Sequence, residues 1–232
     1  SLEQSEQRRQ EFIANVSHEL KTPMTTIGGY VDGILDGTIP KDNEKHYLQI
    51  VSSEVRRLSR LVRSMLDLSR LQAQGIDESR KTRFDLGDVM SDVLITFEQK
   101  INARGLQVSV DLPEKPVWTK ADRDAITQVV YNLLDNAIKF CPVGGSLALV
   151  LEQDGQKARL RVRNTGQTIP AEELPLLFDR FHKADKARSA DREGWGLGLY
   201  IAKTIVGAHG GEIWATSENG VTEFCFTLPV VR

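Results

Sequence analysis

The ten residues NVSHELKTPM, Asn15 to Met24, hold the chemistry-bearing side chains of the first part of the chain. Around them the apolar positions Ile13, Val16, Leu20, Pro23, Ile27, Tyr30 and Ile34 alternate in steps of three and four, the seam of a coiled coil. His18 lies off that seam, so its imidazole is expected to face solvent. An unperturbed imidazole titrates at about pH 6.5, is largely neutral at cellular pH and then keeps a nucleophilic lone pair. A buried or helix-capping histidine is the competing reading from these residues alone. Glu19 could accept a hydrogen bond from the second ring nitrogen, or be a plain surface residue. Thr22 lies one turn beyond His18 on the same face. Pro23 leaves the Glu19 carbonyl without its helical donor; because the seam continues in phase on both sides, the helix is expected to bend there without ending.

Four later stretches carry groups suited to phosphate and hard cations. In NLLDNAIKF, Asn132 to Phe140, the side chains of Asn132, Asn136 and Lys139 share one helical face. Amide oxygens can ligate Mg2+, and a lysine offers a point charge to phosphate; exposed polar positions of an amphipathic helix are the alternative. NTGQTIP, Asn164 to Pro170, ends a predicted strand, where a side-chain oxygen and a glycine admit a flat ligand, or simply make a turn. The segment from Leu176 to Asp185, containing LFDRFHKAD, is aromatic and basic, and leads into KARSADRE, which reads as a lid or as an ordinary surface loop. In GWGLGL, Gly194 to Leu199, glycines let N–H groups at a helix start cradle phosphate oxygens. No one of these stretches is decisive alone.

These residues need elements to hold them. After the breaker segment DGTIPKDN, Asp36 to Asn43, a second seam runs through Leu48, Val51, Val55, Leu58, Val62 and Met65. Two helices of about thirty residues and a short loop make an antiparallel hairpin. Such a hairpin cannot cover its own seams, so a homodimer forming a four-helix bundle is expected. Arg56, Arg57, Arg60 and Arg63 fall between the seams and read as a solvated face. Beyond Leu71, QAQGIDESRKT reads as a linker. The remainder predicts helices over 85–103, 123–140 and 196–208, the last ended by Gly210-Gly211, and strands over 106–112, 117–119, 146–151, 158–163, 212–216 and 222–228. That order suits a sheet covered on one face by helices.

In their order, these segments resemble the sensor histidine kinases of two-component signalling over almost the whole chain. NVSHELKTP is similar to that family's H box, NLLDNAIKF to its N box, NTGQTIP to a variant G1 box, LFDRFHKAD to its F box and GWGLGLYIAK to its G2 box. The resemblance implies a dimerisation and phosphotransfer hairpin over 1–73, followed over 82–232 by an α/β sandwich of the Bergerat ATP-binding type. It implies ATP and Mg2+ as cofactors, with Asn136 on the metal and Asn132 and Lys139 near the phosphates. Phe140 would lie against the nucleotide and Lys183 in the lid; Asn164, Gly166, Gly194, Gly196, Leu197 and Gly198 fall in the nucleotide-binding boxes. On this reading His18 attacks the γ-phosphate of ATP in line, giving phosphohistidine and ADP, with Glu19 orienting the ring. The phosphoryl group then passes to an aspartate on the receiver domain of a response regulator. Thr22, completing HExxT, would orient a water in a phosphatase reaction on that regulator.

One departure from the family pattern bears on affinity. Many relatives carry Asp at the position of Asn164, and a second glycine at Thr168. An amide oxygen still accepts a hydrogen bond from an adenine amino group, but without charge assistance, a loss on the order of 1 kcal/mol. A catalytically silent, regulator-binding module is therefore the alternative. Another ATPase of the same fold is a third reading, for which the HELKTP hairpin is superfluous.

Composition narrows the classes further. The 232 residues are 40% hydrophobic, enough for a core, and the formal net charge of -2 lacks the basic excess that drives nucleic-acid binding. Cys141 and Cys225 show no metal-ligand spacing and read as buried thiols. No apolar run approaches the ~20 residues that span a bilayer, and SLEQSEQRRQE is no signal peptide. The expectation is a cytoplasmic fragment without membrane contact of its own, whose first helix continues upstream in a membrane-anchored parent.

Overall fold

The computed structural model describes residues 2–75, 77–182 and 196–231. The chain divides into two units, 1–67 and 68–232. Among the described residues no helix is long and apolar enough to cross a membrane.

The first unit is a helical hairpin. Helix α1, Leu2–Leu35, runs unbroken through Pro23, and α2 spans Lys41–Gln74. The turn between them follows from its sequence. Gly37 takes the left-handed conformation at φ 79°, the Ile39 N–H donates to the Gly33 carbonyl at 2.8 Å, and the Asp36 side chain accepts from the Thr38 N–H at 2.8 Å. Tyr30 and Tyr47 meet across the hairpin with ring centroids 4.9 Å apart. The seam predicted for α2 is only half covered: Val51, Leu58 and Met65 are half-buried, whereas Leu48, Val55 and Val62, seven residues apart, remain about half exposed. A single partner helix reaches only one side of such a stripe.

In the second unit the predicted linker is shorter than expected. Lys81 and Thr82 belong to strand β1, Lys81–Asp85, which pairs antiparallel with β3, Trp118–Asp122. Only Phe84 of β1 is buried, so the strand carries almost no apolar alternation to betray it. The helix expected over 85–103 is two helices, α3, Leu86–Thr96, and α4, Glu98–Ala103. Phe97 breaks them at φ −98°, ψ 1°, and is buried with its ring 4.7 Å from that of Tyr131. Helix α5 covers Arg123–Phe140, the span its pattern predicts, with Asp122 accepting from the Asp124 and Ala125 N–H groups as its N-cap.

The main sheet has strands β2, Gln107–Asp111; β4, Ser146–Asp154; β5, Lys157–Thr165; β6, Ile213–Glu218; and β7, Val221–Pro229. Their order is β2-β4-β5-β7-β6, parallel at β2–β4 and antiparallel elsewhere. Alternation decides the two faces. Leu147, Leu149, Leu160, Val162, Phe224 and Phe226 are buried on the face that α3, α5 and helix α6, Gly198–Ala208, cover. The opposite face carries Arg161 paired with Glu152, and Arg163 paired with Glu223. Cys141 and Cys225 are both free and buried, and burial pushes the Cys225 thiol up to about 12, so it stays protonated.

Helix α6 ends in a Schellman cap. The Gly211 N–H donates to Val206 O at 2.9 Å and the Gly210 N–H to Gly207 O at 3.1 Å, with Gly210 at φ 75°. At this end His209 is buried, its Nδ1 2.8 Å from Ile205 O and its Nε2 accepting from the Asp122 N–H at 3.1 Å. That pair of bonds requires the neutral ring protonated on Nδ1. Desolvation is the main reason its pKa is depressed; the Ile205 carbonyl, Asp122 and Glu78 oppose the shift and Lys81 adds to it. A histidine with a folded pKa below its unfolded value of about 6.5 binds more protons unfolded, so its contribution is present at neutral pH and lost as pH falls through that window. Unfolding free energy is expected to drop between pH 7.5 and 5.5, by at most about 1.4 kcal/mol per pH unit for this one proton, and melting temperature with it. Thermal melts of His209→Gln should show a shallower slope; an unchanged slope would assign the effect elsewhere.

Candidate functional site

Two constellations lie on separate units. On α1, His18 is exposed, as its position off the seam predicts. Its backbone carbonyl accepts a long hydrogen bond, 3.4 Å, from Thr22 Oγ1, which places the exposed Thr22 hydroxyl one turn along the same face. Glu19 is half-buried, and among the described residues no hydrogen bond joins it to the imidazole; adjacent helical residues diverge by about 100°. Around buried Pro23 the hydroxyls of Ser17, Thr25 and Thr26 also bond to carbonyls four residues back. A shallow open groove along this stretch is lined by Ser17, Leu20, Lys21, Met24 and Thr25.

On the second unit, α5 brings three of the predicted stretches together. Its apolar face, including Ile126, Val130, Leu133, Leu134 and Ala137, is buried against the sheet side, which leaves Asn132, Asn136 and Lys139 half-exposed on the other face. Asn132 Nδ2 donates to Gly198 O at 3.0 Å, tying α5 to the first turn of α6. At the other end of α5 the Phe140 carbonyl lies against Gly166, where an added Cβ would come within 2.9 Å of that oxygen. Only glycine allows this approach. Gly196, at φ 69°, is equally constrained: a Cβ there would lie 2.7 Å from His182 O and 2.8 Å from the Phe181 carbonyl carbon. The Phe181 N–H donates to Gly196 O at 2.9 Å, with Phe181 itself at φ 59°. Residues 182 and 196 thus meet at the base of the segment expected as a lid. Lys183, Gly194 and the run KARSADRE lie outside the described residues. Leu197 is buried and precedes the N-terminus of α6, whose opening N–H groups and glycines suit an anion.

Asn164 is buried at the end of β5, between Leu147 of β4 and Thr222 of β7. Its Nδ2 donates to Thr165 O at 3.0 Å, and among the described residues nothing donates to its Oδ1. That bond turns the amide nitrogen toward Thr165. Asn136 makes no side-chain hydrogen bond among the described residues, so its oxygen is available to a hard cation. The described residues contain no group of three His, Cys, Asp or Glu side chains able to hold a metal ion.

Several polar residues here escaped the motif reading. Thr165 Oγ1 accepts from the Ser146 N–H at 2.9 Å, and Arg104 Nη2 donates to Cys141 O, fastening the α5–β4 loop beneath Gly166. Ser217 and Thr222 are buried with hydroxyl oxygens 2.8 Å apart. Their signal is the run of small hydroxylated residues flanking Asn219-Gly220 in the last hairpin.

Family models match both units. Residues 8–74 match the His Kinase A (phospho-acceptor) domain, and residues 121–232 match the histidine kinase-, DNA gyrase B-, and HSP90-like ATPase family. Sensor protein SrrB of Staphylococcus aureus is 37% identical over 226 residues, 97% of this chain; the chain spans 38% of that relative's length. The catalytic domain of histidine kinase ThkA is 31% identical with a TM-score of 0.59, covering 64% of this chain and 95% of that one. Histidine kinase ThkA in complex with response regulator protein TrrA is 29% identical with a TM-score of 0.77, covering 95% of this chain and 61% of that one. With an exposed histidine on a helical hairpin, an α/β sandwich whose α5 meets the glycines of two later segments and these relatives, the chain belongs to the sensor histidine kinases of two-component systems.

Proposed function

We propose that the chain is the transmitter part of an ATP-dependent protein-histidine kinase. His18 takes the γ-phosphoryl group of ATP and passes it to an aspartate on a response-regulator receiver domain. The carrying observation is the exposure of His18 on α1 in a chain whose second unit also brings Asn132 to Gly198 and the Phe140 carbonyl to Gly166, with Asn136 half-exposed on the same helix. A neutral, solvent-facing imidazole attacks phosphorus from one nitrogen while the other keeps its proton, and the ring becomes cationic as the N–P bond forms and the bond to the ADP oxygen breaks. Glu19 and solvent stabilise that charge. The N-terminal turn of α6 would hold phosphate oxygens, and Asn136 would hold Mg2+, which would supply positive charge to offset that developing on the phosphates. Thr22, one turn from His18, orients a water that attacks phosphorus of the regulator's phosphoaspartate, breaking its bond to the aspartate oxygen and releasing phosphate.

Partner and setting follow from the same reading. The half-exposed row Leu48, Val55 and Val62 supports a homodimer in which a second hairpin covers it. The complex of ThkA with response regulator protein TrrA supports a response regulator as partner. A cytoplasmic site goes with ATP chemistry, and the expected membrane anchor would lie in the part of the relatives' length that this chain does not span.

The direct test is incubation with γ-labelled ATP and Mg2+: acid-labile, base-stable label on the chain is expected, followed by its transfer to a receiver domain. Nucleotide binding without label would instead favour the silent module. The Asn164→Asp chain probes the base position. An aspartate cannot donate to Thr165 O and buries a carboxylate beside it, so the nucleotide-free protein should lose about 1–3 kcal/mol of stability in thermal melts. In calorimetric titration its affinity for an ATP analogue should be kept or modestly tightened, because a charged acceptor replaces a neutral one. A large loss of affinity would move the base away from Asn164.

A further inference from the structure

The residue that departs from the family's glycine pattern, Thr168, has a partner. Its Oγ1 accepts from the Gly220 N–H at 2.8 Å, while the Gly220 carbonyl accepts from the Gly166 N–H at 2.9 Å. Both backbone groups of one turn residue therefore hold the loop that follows Asn164. The next residue is held as well: the Ile169 N–H donates to Ser217 Oγ at 2.8 Å, and Ser217 Oγ lies 2.8 Å from Thr222 Oγ1. Thr222 stands in register opposite Asn164. The turn doing the holding is itself stiff. Asn219 and Gly220, at φ 51° and φ 76°, form the left-handed pair of a type I′ hairpin turn joining β6 to β7. A Cβ at Gly220 would be both strained in φ and 3.4 Å from Gly166 O.

We infer that Thr168 is a positioning residue for base recognition, its hydroxyl clamping the Gly166–Ile169 loop to the β6–β7 turn so that Asn164 presents its amide in one orientation. This rests on the proposed nucleotide site. A glycine at this position has no side chain with which to reach Gly220, so the chain exchanges backbone freedom for a fixed anchor. The threonine is exposed and takes no part in the core, so removing its hydroxyl loosens the loop between its remaining tethers at Gly166 and Ile169 without opening the domain. Because the amide of Asn164 distinguishes an amino group from a carbonyl oxygen on a purine, the clamp acts on which base is accepted as well as on how tightly it is held.

The test compares wild type, Thr168→Val and Thr168→Ser in the whole chain, titrated with non-hydrolysable analogues of ATP and GTP. Valine keeps the β-branched shape and loses the acceptor; serine keeps the acceptor. Thr168→Val is expected to weaken the ATP analogue about fivefold to tenfold and to narrow the adenine-over-guanine ratio, with its melting temperature within about 2 °C of wild type. Thr168→Ser should return both readings to within about twofold of wild type. Amide hydrogen exchange at Gly220 should speed up in the valine chain and not in the serine chain. Wild-type binding by Thr168→Val, failure of serine to rescue, or an unchanged base ratio overturns the inference and leaves the nucleotide reading standing. A wild-type chain that binds neither analogue overturns both.

Discussion

A His18→Gln chain is expected to bind an ATP analogue as the parent does, yet to take up at least about 100-fold less acid-labile label from γ-labelled ATP. Glutamine approximates the size and polarity of the imidazole, and His18 is exposed, so neither the hairpin nor the nucleotide unit has reason to rearrange. What is lost is the lone pair. An amide nitrogen is delocalised into its carbonyl and does not attack phosphorus, and no rotation of the side chain restores that capacity. Filter-bound counts after base treatment, beside calorimetric titration of the same preparation, separate loss of the acceptor from loss of the nucleotide. Retained label in His18→Gln would place the acceptor on another residue; His46, exposed on α2, is then the first to test.

The largest expected effect on stability is at Gly211. Its ideal Cβ position lies 1.9 Å from the Thr227 carbonyl oxygen and 3.0 Å from its carbon, so Gly211→Ala forces β7 and the end of α6 apart. The same contact is hydrogen-bonded on both sides, the Thr227 N–H donating to Glu212 O at 2.9 Å and the Glu212 N–H to Thr227 Oγ1 at 3.1 Å. Backbone overlap of that depth cannot be relieved by a rotamer change, and a cost of about 3 kcal/mol or more, near 10 °C in melting temperature, follows. Gly210→Ala is the control. Its φ of 75° is unfavourable for alanine, but the nearest atom to the added Cβ is Pro229 Cγ at 3.9 Å, so only the left-handed penalty of about 1–2 kcal/mol applies. Thermal melts that rank the two in the reverse order would show that the strand, and not the helix cap, tolerates the displacement.

Where the apolar pattern is strong, the elements were legible. Helix α5 begins and ends where its pattern puts it, and the hairpin turn follows from Gly37 and Pro40 in the breaker segment. Where burial is sparse, they were not. Strand β1 buries one side chain, and its existence depends on β3, a partner thirty-odd positions away in sequence whose own apolar content is no guide to pairing. The break at Phe97 has a similar origin: a helical pattern continues through it, but the ring gains more by packing on Tyr131 than the backbone loses by leaving the helix.

Residue types and spacing by themselves determined that this chain pairs a nucleophilic histidine with amides, a lysine and glycines suited to a nucleotide phosphate, because side-chain chemistry and helical periodicity are local properties. Exposure of His18 followed from the same local argument. Only the tertiary structure decided that Asn132 is spent on the Gly198 carbonyl, that the Asn164 amide is turned by Thr165, and that Thr168 has an anchor in Gly220. Those bonds join residues up to 66 positions apart, or fix one of two ways an amide can face, and neither is encoded in a pattern short enough to read along the chain.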